Sequence, residues 1–407
     1  MKSTLPAAEQ KFREAGSALP AGLGVIQFDP KGLVERLSHL PDRRGQRGRR
    51  YELAPLLLLI ILAKLSGEDT SSGIADWVTY RADELIKALH LSWPKMPHHN
   101  TLRRIISLVV EPEELDRIVA EHLASLSGVG ASRLIAIDGK TVRGTITEAN
   151  PQGDELLVAY LPKEGIVLGQ VAVTSKDNEI VEAPKLLGQL SVRGKIVMGD
   201  AMHSQRALSN QIKQAGGEFI WPIKGNQPTV LADITQLFVR ATPTVLGNLL
   251  PNDFVSYEKV NKEHGRLEKR RITVSSELKG YTDWPYLEQV FRLERWRTNL
   301  KTGKSETEVI YGLTSLSSKA ASAKSLQGLI RDYWGIENGL HQRRDVTFHE
   351  DRIRQTVGNA GHVMASINNL AIGLFRHAGC TNIASARRVV DSLFNQATYL
   401  AIERTLT

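Results

Sequence analysis

The sequence has almost no cysteine and no long apolar run. Its single cysteine, Cys380, excludes an intramolecular disulfide framework and fits a reducing compartment. The most apolar stretch runs from Leu53 to Leu65 and contains Pro55 and Lys64. It is shorter than the roughly 20 apolar residues that a membrane-spanning helix needs. The first residues lack the apolar core of a secretory signal. We therefore expect a cytoplasmic protein with no membrane partner.

Nucleotide-binding motifs are absent as well. The sequence has no G-x-x-x-x-G-K-[ST] loop and no dinucleotide fingerprint, so nucleoside triphosphate chemistry lacks its usual phosphate cradle. It also has no internal repeat and no low-complexity tract. What the chain does have is a formal net charge of +8, and this moderate basic excess favours a polyanionic partner.

Much of the positive charge lies at the start of the chain. Residues 1–50 hold ten Lys and Arg against five Asp and Glu, and they end in the run DRRGQRGRR. A flexible basic arm, with Arg49 and Arg50 at its end, would bind a phosphate backbone without sequence specificity. A solvated linker is the alternative.

Residues 51–130 have helical spacing, with a buried helix predicted at Leu53–Leu65 and an amphipathic helix at Ser72–Leu89. Asn100 is suited to cap the next helix, which would place Arg103 and Arg104 in its first turn. Because positive charge opposes the helix dipole there, a phosphate partner would account for both arginines. A helix-turn-helix module that contacts DNA and a plain helical bundle both fit this pattern.

The hydrophobic period changes at Ser132, where strand-like runs begin to alternate with helical stretches. Such alternation is typical of an α/β domain. Residues 226–315 instead alternate like antiparallel strands, and helical spacing returns after Ser318. The predicted strands are 133–138, 156–161, 166–173, 195–200, 218–223, 255–260, 271–275, 290–297 and 308–313. The predicted helices in this part are 182–190, 205–215, 326–345 and 365–377.

Two aspartates each close an apolar strand. Asp138 follows the run LIAI, and Asp200 follows the run IVMG. Because ligands of open α/β sheets sit at the carboxyl ends of strands, the two carboxylates would converge there. Two turn-initiating or helix-capping aspartates are the alternative.

A third acid, Glu337, lies on the helix predicted from about residue 326. The helical spacing places it on an otherwise apolar stripe. A carboxylate buried there needs a cation or a proton, and Arg344 lies two turns on, near the same face. A buried Glu337–Arg344 network without catalysis is the alternative. The stripe consists of Leu326, Ile330, Trp334, Glu337 and His341.

Three convergent carboxylates, without paired cysteines or closely spaced histidines, favour Mg²⁺ or Mn²⁺ over zinc. Two such ions would clamp the attacking and leaving oxygens of a phosphoryl transfer. Lys140 and Arg344 would neutralise charge on the transferring phosphate.

Six segments together form a specific motif set, whereas any one of them alone would be a weak signal. They are DRRGQRGRRYELAPLLLLIILA (42–63), IDGKTVRG (137–144), MGDAMHSQRAL (198–208), IKGNQPTV (223–230), EHGRLEKR (263–270) and YWGIENGLHQRRDVTFHED (333–351). In this order, over nearly the whole chain, they resemble the DDE transposases of bacterial insertion sequences. The most similar branch is the ISAs-one type, which includes the H-repeat-associated proteins, within the IS-four-like group.

The resemblance implies an α/β fold with an RNase-H-like catalytic core, preceded by a helical DNA-binding domain at residues 51–130. Asp138, Asp200 and Glu337 would be its catalytic and metal-binding triad. The core would occupy residues 131–225 and 316–407, interrupted by a β-rich insertion at 226–315. In that insertion, Trp296 or Trp284 would stack on a flipped base, with a core tryptophan as the alternative.

The chain departs from the wider group at one motif. That group usually carries Tyr, Arg, Glu and Lys at fixed spacing, and the corresponding positions here are Ile330, Tyr333, Glu337 and Arg344. Only the glutamate is identical, although the last position keeps a basic residue. The departure leaves open the roles of the first two positions.

The resemblance implies a bacterial enzyme that cuts the ends of its element and joins them to target DNA. Its cofactor would be two Mg²⁺ or Mn²⁺ ions. Its partner would be double-stranded DNA, at terminal inverted repeats and target sites, bound by a homodimer. A domesticated transposase that only binds DNA and another metal-dependent nuclease on the same core are the alternatives. Further contacts to the triad or to DNA are expected from Lys140, His203, Lys224, Asn226, His341, Arg344, Arg49, Arg50, Arg103 and Arg104.

Overall fold

The computed structural model describes residues 30–173, 178–240, 253–263 and 265–393. Most of the predicted basic arm, residues 1–29, lies outside these ranges. The chain divides into two units. Among the described residues, one unit consists of 30–105 together with 370–393, and the other lies within 106–369. In the part that the structure describes, no helix combines the length and apolar composition that a membrane span requires.

The first unit is helical. Its central helix, α2, is buried along almost its whole length because its residues are apolar on every side. Helices α1, α3 and α13 pack against it, and each leucine buried in this way stabilises the unit by about 1.5–3 kcal/mol. The helices are α1 (Pro30–Leu37), α2 (Leu53–Leu65), α3 (Ser71–Tyr80), α4 (Ala82–Ala88), α5 (His99–Arg104), the end of α12 (Ala360–His377) and α13 (Ile383–Leu393).

One buried charge cluster ties α13 to this unit. The Lys64 ammonium lies 2.6 Å from an Asp69 carboxylate oxygen, and the Arg387 guanidinium lies 2.7 Å from the same oxygen. All three side chains are buried. The carboxylate therefore compensates two buried cations at once.

The structure differs from the sequence-based expectation over residues 30–50. This segment is not a solvated linker, because Leu33 and Leu37 of α1 are buried. Further on, the Arg44 side chain donates to both carboxylate oxygens of Asp42, at 2.8 and 2.7 Å. Arg49 donates to the Asp42 carbonyl oxygen at 2.6 Å. The end of the predicted arm is therefore folded.

Two helix predictions in this unit were also wrong. The helix predicted at Ser72–Leu89 is two helices separated at Arg81. The cap of α5 is His98, whose Nδ1 accepts a hydrogen bond from the Asn100 amide at 3.3 Å. Arg103 and Arg104 therefore lie in the last turn of α5. Since positive charge does not oppose the dipole at that end, the argument for a phosphate partner there no longer holds.

The second unit contains a sheet of nine strands in the order β3-β2-β1-β4-β5-β9-β8-β7-β6. Strands β1, β4 and β5 are parallel, and every other neighbouring pair is antiparallel. The strands are β1 (Leu134–Val142), β2 (Asp154–Leu161), β3 (Ile166–Val173), β4 (Ile196–Met198), β5 (Glu218–Ile223), β6 (Val255–Glu263), β7 (Arg266–Ser275), β8 (Gln289–Asn299) and β9 (Ser305–Thr314).

Helices cover this sheet. Helix α6 packs on β3, α7 on β2 and β3, α8 on β5, and α9 on β8 and β9. Helix α10 contacts β1, β6 and β7, so it lies against both halves of the sheet. These helices are α6 (Pro112–Ala124), α7 (Glu179–Gly188), α8 (Arg206–Gln214), α9 (Pro228–Arg240), α10 (Ala323–Tyr333), α11 (Gln342–Val346) and the first part of α12.

The α/β class is therefore confirmed, and each of the nine predicted strands is present. The antiparallel block extends the same sheet, because β9 pairs with β5. The long helix predicted at 326–345 was wrong. Helix α10 ends at Tyr333, a π-helical turn spans Glu337–His341, and α11 follows.

Candidate active site

Asp138 lies within β1, and Asp200 follows β4, the strand that pairs with β1 in parallel. The pairing of β1 with β4 joins Ala136 to Met198, and each aspartate lies two residues beyond that pair. Neighbouring strands are about 4.8 Å apart. The expectation that Asp138 ends its strand was wrong, because β1 continues to Val142. The register nevertheless places Asp138 beside the segment that carries Asp200.

Backbone geometry holds the second of these carboxylates in place. Asp200 precedes a short 3₁₀ turn, Ala201–His203, and its Oδ1 accepts a hydrogen bond from the Met202 amide at 3.0 Å. The same oxygen lies 2.9 Å from His203 Nδ1. Burial alone would raise the pKa of Asp200, but the hydrogen bonds and charge of His203 outweigh it, and the pKa lies below its usual range.

His203 lies between two carboxylates. Its ring is completely buried, with Nδ1 at Asp200 and Nε2 3.2 Å from Glu179 Oε2. Burial disfavours the imidazolium, but the two carboxylates outweigh this and raise the pKa of His203 to about 9. The imidazole is therefore protonated at neutral pH, and it carries a positive charge beside Asp200.

Glu337 begins the π-helical turn and is exposed. The expected apolar stripe is therefore interrupted, because Trp334, with 42% of its surface exposed, and Glu337 both face solvent. The glycines of this segment allow close packing on the sheet. A Cβ at Gly339 would lie 2.5 Å from the Tyr160 hydroxyl. Short π-helical insertions of this kind are frequent at functional sites.

The predicted partner of Glu337 was wrong. Arg344 is fully buried, and its guanidinium pairs with Glu350, with Nη2 2.8 Å from Oε1. The same burial keeps Arg344 away from any phosphate at the surface. Its role is to neutralise a buried carboxylate within the second unit.

Two more predicted residues flank Asp138. His341 is buried, and its Nε2 lies 3.3 Å from Asp138 Oδ2. Lys140 is two residues along β1, with its Nζ 2.6 Å from Asp345 Oδ1 and 3.7 Å from Asp351 Oδ1. The ammonium is therefore already paired with carboxylates, contrary to the expectation that it would neutralise a phosphate.

Asn226 supports the turn that follows Asp200. Its side-chain amide donates to the Ala201 carbonyl oxygen at 2.6 Å and to the Ser204 hydroxyl at 3.2 Å. Lys224, two residues before it, is exposed. Asn226 thus acts on the site through the backbone, whereas Lys224 is accessible to a ligand.

Tyr333 is a site residue to which the sequence assigned no role. It is the last residue of α10 and is buried. Burial raises the pKa of its hydroxyl well above the usual value, and the nearby charges of Asp138, Asp200 and Glu337 raise it further. All three predicted acids therefore act on one phenol. The only sequence signal was its position four residues before Glu337, in the motif where this chain differs from the wider group.

The remaining predicted contacts are distributed between the two units. In the helical unit, Arg49, Arg50, Arg103 and Arg104 are all exposed. In the second unit, Trp284 is buried beneath the Arg206 guanidinium. It is therefore a core tryptophan and not one exposed for stacking on a base. Trp296 is half-buried, and Lys269 Nζ lies 5.4 Å from its ring centre.

The donor atoms near Asp138 and Asp200 suit a hard cation, since they are carboxylate oxygens without a cysteine. Within the described ranges, however, no group of three or more His, Cys, Asp or Glu side chains is arranged to hold a metal ion. The chemistry and placement of the two aspartates therefore fit Mg²⁺ or Mn²⁺, while Glu337 would have to approach them as a third ligand.

Comparison with known proteins identifies the family. Residues 130–374 match the family described as Transposase DDE domain, and residues 34–123 match the one described as DDE_Tnp_1-associated. "Putative protein YbfL" of Escherichia coli K12 is 30% identical over 349 residues, covering 84% of this chain and 90% of its own length. "H repeat-associated putative transposase YhhI" of the same strain is 29% identical, with the same coverage.

A third relative comes from another organism. The "Uncharacterized protein in dhlA 3'region" of Xanthobacter autotrophicus is 31% identical over 283 residues, covering 68% of this chain and 92% of its own length. The match to the Transposase DDE domain covers more than half of the sequence. The chain therefore belongs to the DDE transposase family.

Proposed function

We propose that this chain cuts the ends of its own insertion sequence and joins them to target DNA, with Asp138, Asp200 and Glu337 as its triad. The observation that carries this proposal is the parallel register of β1 and β4, which pairs Ala136 with Met198, two residues before each aspartate. Family membership supports the reaction class, because DDE transposases act on DNA. The motif set further supports the ISAs-one branch.

The first five strands support an RNase-H-like core. They lie in the order β3-β2-β1-β4-β5, and only β2 runs against the others. Asp138 lies on β1, Asp200 follows the neighbouring strand β4, and Glu337 lies on the segment after α10. The antiparallel strands β6–β9 would then be the insertion, joined to the core through β5 and β9.

Transposases of this family generally use divalent metal ions, and two Mg²⁺ or Mn²⁺ ions suit these oxygen donors. Bound there, the ions would stabilise charge on the attacking and leaving oxygens of an in-line displacement. Asp138 and Asp200 would supply ligands from the rigid sheet. Glu337 would supply a third ligand from the solvent side.

The exposed basic side chains would hold the DNA. Lys224 follows β5 in the same unit as the two aspartates, and the four exposed arginines of the helical unit would contact the backbone of the terminal repeats. Cutting both ends of an element together requires two active sites, so we include a homodimer on DNA in the proposal.

The test is cleavage of labelled DNA that carries the element's own ends, with Mg²⁺ or with EDTA. We expect nicks at the end boundary that need the metal. Asp138→Asn keeps the size of the side chain but removes its charge, and it should abolish the nicks while leaving DNA binding intact. Asp283→Asn is the matched control, since the Asp283 side chain is fully exposed.

The alternatives predict different results. Binding without any cut, in Mg²⁺ and Mn²⁺ alike, would show a DNA-binding protein without catalysis. Metal-dependent cuts with no preference for the element ends would show a general nuclease. Cleavage that survives Asp138→Asn would contradict the assignment of the triad.

A further inference from the structure

We propose that Glu179 and His203 form a positioning pair that orients the Asp200 carboxylate for a divalent cation. This inference rests on the proposed function, and it concerns a residue, Glu179, for which the sequence motifs predicted no role. Neither Glu179 nor His203 is exposed enough to contact DNA: the His203 ring is completely buried, and 11% of the Glu179 side chain is exposed.

The hydrogen bonds on Asp200 are one-sided. Oδ1 accepts from the Met202 amide at 3.0 Å and lies 2.9 Å from His203 Nδ1. Two contacts on one oxygen restrict rotation of the carboxylate. Because almost half of the Asp200 side chain is exposed, the carboxylate remains available to a ligand.

Glu179 acts on Asp200 through the histidine. Its Oε2 lies 3.2 Å from His203 Nε2, on the side of the ring opposite Asp200. A carboxylate there holds the imidazole in the orientation in which Nδ1 faces Asp200 Oδ1. Groups that orient a ligand in this way typically change metal affinity by about 10–100-fold when they are mutated.

The glycines beside both aspartates make room for this pair. A Cβ at Gly139, next to Asp138, would lie 2.2 Å from Glu179 Oε1. A Cβ at Gly199, next to Asp200, would lie 2.9 Å from His203 Nδ1. Two independent positions therefore lack a side chain where the pair needs space, which supports a built arrangement.

Glu179 is the first residue of α7, where the helix dipole favours negative charge. Glu155 of β2 interacts with it, since burial and the charge of Glu179 together raise the pKa of Glu155.

The test uses the full chain and Mn²⁺ alone, without DNA. Glu179→Gln should weaken Mn²⁺ binding about 10–100-fold, as measured by titration calorimetry. Glu182→Gln is the matched control on the same helix, because that carboxylate pairs with Lys185 at 2.7 Å. We expect Mn²⁺ binding by Glu182→Gln to equal that of the wild type.

A second readout follows the hydrogen bond directly in the metal-free protein. The ¹H–¹⁵N correlation of the histidine side chains, assigned with His203→Gln, should show a downfield Nδ1 proton in the wild type. In Glu179→Gln this signal should move or disappear, and in Glu182→Gln it should stay. An unchanged signal in Glu179→Gln would contradict the proposed coupling.

Cleavage of the element ends completes the design. In Glu179→Gln the Mn²⁺ concentration for half-maximal cleavage should rise, while the rate at saturating Mn²⁺ returns toward that of the wild type. A general loss of folded protein would lower the saturating rate instead. If the wild type binds Mn²⁺ and cuts the ends, and Glu179→Gln does both equally well, this inference is overturned but the proposed function is not. A wild type that neither binds Mn²⁺ nor cuts the ends would overturn the proposed function as well.

Discussion

Arg344 and Glu350 form an ion pair that is entirely removed from solvent. Arg344 Nη2 lies 2.8 Å from Glu350 Oε1, and neither side chain has exposed surface. Asn368 of α12 donates to the other carboxylate oxygen at 2.9 Å. The pair therefore links the segment after α11 to α12 within the second unit.

Removing one partner of this pair should be costly. Glu350→Gln leaves the Arg344 charge buried without a counter-charge, and we expect a loss of about 3–5 kcal/mol in the free energy of unfolding. Chemical denaturation measures this. Glu114→Gln is the control, since its pair with Arg117 is half-exposed and should contribute about 0.2–1 kcal/mol. Equal effects of the two changes would contradict the prediction.

The same pair should make the second unit sensitive to acid. Burial alone would raise the pKa of Glu350, but the Arg344 charge outweighs it and lowers the pKa below its ordinary value. The pair is then fully stabilising above about pH 4.3, and that stabilisation is lost as pH falls through the lowered pKa. The difference in unfolding free energy between wild type and Glu350→Gln should therefore shrink in acid, as denaturation at several pH values would show.

A second buried pair should respond in the opposite direction. His362 Nε2 lies 2.5 Å from Asp116 Oδ2. Burial opposes the charge of the ring, but Asp116 outweighs it and raises the pKa of His362. Its stabilisation is fully present below about pH 6.5 and is lost as pH rises through the raised pKa. The destabilisation caused by His362→Gln should therefore decrease as the pH rises above about 6.5, and a constant difference would contradict the assignment.

Within the helical unit, Asp69 pairs with two buried cations. Asp69→Asn would remove the carboxylate that Lys64 and Arg387 share, and it should destabilise the unit by about 3–5 kcal/mol. Hydrogen exchange of α13 should accelerate. Asp391→Asn is the control on α13, because the Asp391 side chain is 43% exposed, and its effect should be small.

Space at Gly139 can be tested directly. Gly139→Ala would place a Cβ 2.2 Å from Glu179 Oε1, and we expect about 1–3 kcal/mol of destabilisation. Gly328→Ala in α10 meets no atom within 4 Å and should stabilise the protein by about 0.5–1 kcal/mol. Thermal unfolding of the two variants should shift in opposite directions.

The spacing of apolar residues along the chain was sufficient to predict most of the helices and strands. The strands were predicted because alternation of apolar residues is a property of consecutive positions. The apolar runs LIAI and IVMG also drew attention to Asp138 and Asp200, although β1 does not end at Asp138 but continues to Val142. The α2 helix was predicted at Leu53–Leu65 from its continuous apolar run, and the structure has those bounds.

The positions of charged groups depended on tertiary structure. The sequence predicted that Arg344 pairs with Glu337, because both lie on one helical face, yet the helix is broken between α10 and α11 and Arg344 turns to Glu350. Lys140 pairs with Asp345, which is remote in the sequence. Such partners are set by contacts between distant segments, and no periodicity encodes them.

The sequence by itself determined the strands, the helical N-terminal region, the family and the two aspartates, because each of these depends on neighbouring residues or on ordered motifs. The tertiary structure alone decided that β1 and β4 align those aspartates, that His203 lies between Asp200 and Glu179, and that Glu337 faces solvent. These features follow from strand register and packing, which arise only when residues far apart in the chain come together.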